Sequence, residues 1–73
     1  MKITLQSTEK VVTLNGLPAR IWEGKTESGI EVHAYITLIA VEKTNDTSEF
    51  ERELQEQKPP TAAVESIPLN MII

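Results

Sequence analysis

Asn15-Gly16 stands between two short β-branched and apolar runs, Val11 to Leu14 and Leu17 to Glu23. Two residues that tolerate positive φ are what a two-residue hairpin turn demands. The chain is therefore committed to an antiparallel hairpin here. Pairing Leu14 with Leu17 sets Val12 opposite Ala19 and Val11 opposite Arg20. Pro18 has no N–H to give to a ladder, so it must fall at a ladder end or an edge.

Gly24 to Gly29 holds a second turn, centred on Ser28-Gly29, and Ile30 to Val41 is the longest strand candidate. A two-residue or a four-residue loop gives the same face parity. Ile21, Val32, Ala34, Ile36, Leu38 and Ala40 then share one face, which is the expected core. Arg20, Trp22, His33, Tyr35 and Thr37 share the other. That second set holds the only Trp, the only Tyr and the only His of the chain. A three-residue loop with a bulge would break this grouping.

Upstream, Ile3 and Leu5 alternate with polar neighbours as a short strand, and Ser7 to Lys10 reads as a connection. Downstream, Asp46 or Thr47 can cap a helix over 46–58, with Glu49 near its positive end. Phe50 and Leu54 lie four apart on one side of it. Pro59-Pro60 stops it. Thr61 to Ser66 fits one short helical turn. Ile67, Leu69, Met71 and Ile73 alternate, so 67–73 is expected as a C-terminal strand or interface segment, with Pro68 starting it at an edge. The expected fold class is α+β: residues 1–73 as a single domain, 1–41 as β-hairpins, and a small antiparallel sheet of four or five strands with one helix packed on one face.

Seventy-three residues with no Cys leave a marginal core and exclude disulfides and thiolate metal sites. Oligomerisation is the remaining way to add stability, and the apolar ending favours it. A homo-oligomer is expected. No cofactor and no metal are expected, since the lone His would have only carboxylates for company. No signal-type or membrane-spanning apolar run occurs, which points to a cytoplasmic chain without membrane contact.

The net charge of −4 is uneven. Residues 1–41 balance four acids against four bases, and 42–58 hold six acids against Lys43, Arg52 and Lys58. Duplex nucleic acid needs a basic face, and none is visible. The acidic helix is a solvated face or, more sharply, a mimic of a phosphate backbone.

Arg20, Trp22, His33, Tyr35 and Thr37 admit three accounts. Trp22 and Tyr35 can be a cross-strand aromatic pair with Arg20 stacked beside them. The face can be a subunit interface. It can also be a site for a small nucleotide or another flat anion: Arg forks onto phosphate, Trp and Tyr stack, His and Thr donate hydrogen bonds. Catalysis lacks its parts. His33 has no Ser or Cys partner in a familiar arrangement, the serines lie in loops without a nucleophile motif, and no glycine loop cradles phosphate.

The runs Val11 to Gly24, Glu49 to Gln55 and Ile67-Pro68-Leu69 resemble small accessory proteins encoded in phage and prophage genomes. The resemblance implies a bacterial host cell as the setting. With the Arg–aromatic face, the expected role is that of a non-enzymatic anti-defence protein that sequesters a small nucleotide-type signal in an oligomer; the alternatives are a protein-binding inhibitor of a host defence enzyme and a structural assembly accessory.

Overall fold

The computed structural model describes residues 1–42 and 47–71. Asn15 and Gly16 take φ of 50° and 80°, the two left-handed positions of a type I′ turn. They join β1 (Ile3–Leu14) to β2 (Leu17–Thr26). Leu14 pairs with Leu17, Val12 with Ala19 and Val11 with Arg20, the register that the Asn-Gly turn dictates.

β1 is one strand, where two strands and a connection at Ser7 to Lys10 were expected. The register passes from Ser7 opposite Trp22 to Val11 opposite Arg20. Thr8, Glu9 and Lys10 thus face Ile21 alone, a bulge that bends β1 without ending it. Its polar groups are satisfied. The fully buried Thr8 donates its hydroxyl to the Ile21 carbonyl at 2.7 Å and accepts from the Lys10 N–H at 3.2 Å. Glu9 N–H donates to the Lys58 carbonyl at 3.0 Å, and Lys58 N–H donates to the Ser7 carbonyl at 3.1 Å.

The second hairpin decides which side chains share a face. Thr26 N–H donates to the Ile30 carbonyl and Gly29 N–H to the Thr26 carbonyl, both at 3.0 Å, and Gly29 has φ of 88°. This is a three-residue loop, a tight turn followed by a left-handed residue. It leads into β3 (Glu31–Ile36). The odd loop length shifts the pairing by one. Arg20 now opposes Ile36, Ile21 opposes Tyr35, Trp22 opposes Ala34 and Glu23 opposes His33. The expected grouping of Arg20 and Trp22 with His33 and Tyr35 is overturned by this register. So is the Trp22–Tyr35 pair.

β3 also stops at Ile36, well short of the expected Val41. Pro18 lies beyond the last residue of β2 that pairs with β3, so its missing N–H falls at a ladder end. Of the expected core, Ile21 is fully buried. Val32, Ala34 and Ile36 are half-buried on the opposite face, and Leu38 and Ala40 are exposed past the strand end.

The fold is α+β-like: an antiparallel sheet of three strands with two short helices, α1 (Ser48–Leu54) and α2 (Ala62–Glu65). In place of a fourth antiparallel strand, Asn70–Met71 (β4) joins the sheet among the described residues, and it runs parallel to the end of β1. The sheet order is β3-β2-β1-β4. Residues 72 and 73 of the expected C-terminal strand, and Asp46 as a helix cap, lie outside the described residues.

The expected packing helix is also replaced. Val12, Ala19 and Ile21 form the core with Val64 of α2, flanked by Leu14, Tyr35 and Ile67. α1, the helix expected over 46–58, buries no residue and reaches only to Leu54. Its neighbours are on the other side of the sheet. Thr47 caps it without a side-chain bond to the backbone, and Arg52 holds Glu49 and Glu56 at 2.8 Å each. Such i,i+3 and i,i+4 pairs add only a few tenths of a kcal/mol.

Candidate functional site

β2 divides the molecule by parity. Ala19, Ile21 and Glu23 point to the face covered by α2, and Pro18, Arg20 and Trp22 point to the other. The second face carries a groove of about 550 Å³. Its floor is Ser7 and Val11 of β1, Pro18, Arg20 and Trp22 of β2, and Ile36 of β3. Thr37, Leu38 and Ile39 form one wall, and Phe50, Glu53 and Leu54 of α1 form the other. A volume in this range suits a small ligand or a few side chains of a partner.

Three of the five candidate residues, Arg20, Trp22 and Thr37, meet in this groove. The other two do not. Tyr35 packs against the core beneath α2. His33 is exposed on that same side, opposite Glu23 in register.

Arg20 is positioned by the bulge. Its Nη1 donates to the Thr8 carbonyl at 2.8 Å, a carbonyl that the extra residues of β1 turn away from the regular ladder. That is the one hydrogen bond of the guanidinium among the described residues, and Arg20 lines the groove. Trp22, half-buried, lines the groove beside it. The opposite wall carries one carboxylate, Glu53. Glu49, Glu51, Glu53 and Glu56 crowd α1 and its end, and Arg52, the helix's one cation, is engaged by Glu49 and Glu56.

The groove is mostly apolar, and several of its side chains are more exposed than their type usually is. Leu38 is 82% exposed, Leu54 40%, Val11 39% and Ile39 38%. Sequence parity identified Arg20 and Trp22 and placed Val11 opposite Arg20. Leu38 and Ile39 were assigned to a strand that ends before them, and Phe50 and Leu54 to a helix covering the core. Their gathering around Trp22 depends on long-range packing that no local pattern encodes.

A second polar centre lies on the covered face. Glu23 is 8% exposed. Its carboxylate accepts from Lys58 Nζ at 2.6 Å and from the Thr61 N–H and hydroxyl at 2.9 Å each. Burial pushes the Glu23 carboxyl up, but the bonds from Lys58 and Thr61 outweigh it and hold the group below the ordinary carboxylate value. Both carboxylate oxygens are engaged in these bonds. Its role is to fasten residues 58–61 to the sheet directly ahead of α2. The core parity of Glu23 was visible in the sequence; its partners, thirty-five and more residues away, were not.

Among the described residues no group of His, Asp and Glu is placed to hold a metal ion, and no helix is long and apolar enough to cross a membrane. No family model matches the chain, and no curated protein and no solved structure matches it.

Proposed function

We propose that the protein is a non-enzymatic binding module that captures an apolar, basically flanked segment of another protein in the groove between the sheet and α1. The observation that carries this is the composition of the groove. Trp22, Ile36, Leu38, Phe50 and Leu54 line it beside the acidic flank of α1. Exposed apolar side chains gathered around an aromatic anchor are the usual centre of a protein-binding surface. The carboxylates on the rim add selection for Lys or Arg next to the docked segment. In the bacterial setting implied by the resemblance to phage-encoded accessory proteins, the partner is a host defence enzyme that the protein inhibits.

The nucleotide-sequestering alternative keeps one specific support: Arg20, Trp22 and Thr37 still converge on one groove. It is weakened by Glu53 on the opposite wall, which repels phosphate, and by the departure of His33 and Tyr35 to the other face.

Trp22 is the only Trp, so its fluorescence reports occupancy of the groove directly. A synthetic helical peptide of Leu and Lys should shift the emission, with an affinity that falls as salt rises. Its Leu and Glu counterpart should not. A mixture of mononucleotides and cyclic dinucleotides that shifts the emission and raises the melting temperature, while both peptides do nothing, would replace the protein-binding proposal with the nucleotide one.

A further inference from the structure

The two outer edges of the sheet are treated differently. Beside β1, the chain covers part of its own edge: Lys58 bridges at Thr8, and β4 pairs with Thr13 and Leu14. Beside β3, no strand pairs with the outer edge among the described residues. β3 has no Pro, no Lys or Arg and no bulge, devices that commonly protect an edge from pairing with another chain; its one charged residue, Glu31, stands at its start.

The direction of its backbone groups follows from the loop. Thr26 and Ile30 form a hydrogen-bonded pair. Antiparallel alternation then turns Val32, Ala34 and Ile36 toward β2, and Glu31, His33 and Tyr35 outward. The outward set is symmetric about His33.

We propose that β3 pairs antiparallel with β3 of a second copy of this chain across a two-fold axis at His33, joining two three-stranded sheets into one. The sequence is self-complementary in that register. On the groove side Ile30 meets the partner subunit's Ile36, and Val32 meets the partner subunit's Ala34. On the α2 side Glu31 lies across from the partner subunit's Tyr35, whose hydroxyl can donate to the carboxylate. Ile30, 63% exposed, gains an apolar neighbour by this pairing. Because a two-fold contact pairs the two β3 edges with each other, it closes at two copies and does not propagate into a fibre. The pairing borders the groove at Ile36 but rests on the backbone of the β3 edge, whatever occupies the groove.

Sedimentation of the full chain from micromolar to submillimolar concentration tests it. The expected result is a reversible dimer. His33→Pro removes only an outward N–H, so it should weaken the dimer by roughly tenfold or more while the melting of the monomer is retained. His33→Cys supplies a second arm that does not depend on how Pro is tolerated. A hydrogen-bonded antiparallel pair holds its Cα atoms about 5.5 Å apart with the side chains on one face, too wide at Cβ for an unstrained disulfide but within reach of a short thiol-to-thiol cross-linker, and the chain has no other Cys. A short bismaleimide should cross-link His33→Cys, whereas Glu27→Cys in the loop should stay uncross-linked. A monomer at every concentration, a His33→Pro variant as dimeric as the parent, or a dimer in which His33→Cys does not cross-link would each overturn the proposal.

Discussion

The two faces of β2 are built from adjacent residues and end in opposite states. Ala19 and Ile21 are fully buried and Glu23 nearly so, whereas Arg20 and Trp22, between them, line an open groove. Each face has a short helix. By amphipathicity alone α1, with Phe50 and Leu54, is the better cover, yet α2 closes its face with Val64 and α1 leaves its own face open. The difference lies in attachment. Residues 56–61 are fastened to the sheet by the Ser7 hydroxyl on the Glu56 carbonyl, the Lys58 bridge to β1 and the Glu23 carboxylate. The charges of α1 are spent within its own segment, on the exposed Arg52 pairs. A four-residue helix cannot hold itself together in water; a strap tied down by hydrogen bonds can place one Val in a core.

The sharpest way to break this contrast is to truncate the same residue type on both faces. Ile21→Ala opens a cavity in the covered face and should cost about 2–5 kcal/mol, a large share of a small domain's stability. Ile36→Ala, on the half-buried groove face, should cost roughly 1 kcal/mol, because it removes area already in contact with water. Urea melts of the two variants check this. Equal costs would mean that the groove is closed in solution and that the two faces do not differ.

Which parts were legible in the sequence follows from how local their determinants are. Asn15-Gly16 fixed the first hairpin and its register because the turn type depends on two residues. The Ser28-Gly29 turn was located, but its loop length was not, and one residue reverses every side chain of β3. The deciding detail is Thr26, whose hydroxyl accepts from the Ile30 N–H and contacts Ser28, both at 3.2 Å, closing the loop at three residues. Ser7 to Lys10 looked like a break because its polar side chains do not alternate with apolar ones. It stays in the sheet since Thr8 and the distant Lys58 satisfy its backbone. Arg20 and Trp22 could be singled out by residue type. The apolar half of the groove could not, because it is assembled from strand, loop and helix residues far apart in the sequence.

A smaller effect tests the tie itself. The Glu23 carboxyl is held below its ordinary value of 4.5, so the ionised form is favoured by folding. That stability is fully present above the unfolded-state value and is lost as the pH falls through the lower folded-state value. Glu23→Gln should cost about 2 kcal/mol at neutral pH, the scale of hydrogen bonds to a charged group, and should flatten the decline of melting temperature between neutral and acidic pH. A variant with an unchanged acid profile would show that the strap, and with it the covered face, is secured by something other than Glu23.

The smallest effect on stability belongs to the residue that most exposes the open face. Leu38 lies past the end of β3, mostly in water, on the wall of the groove. Leu38→Ser should change folding stability by no more than about 0.5 kcal/mol, as surface substitutions do. Its effect on the groove should be larger. If a docked segment covers Leu38, the lost apolar contact is worth about 1.5 kcal/mol, roughly a tenfold weaker association. The measurement is the peptide titration followed by Trp22 fluorescence, run beside a thermal melt of the same variant. A loss of stability comparable to that of Ile21→Ala would assign Leu38 to the core and leave the groove without its wall. An unchanged titration would confine binding to the Arg20 and Trp22 floor, where a flat ligand would sit, and would shift the contrast between the faces from a protein-docking surface to a small-ligand site.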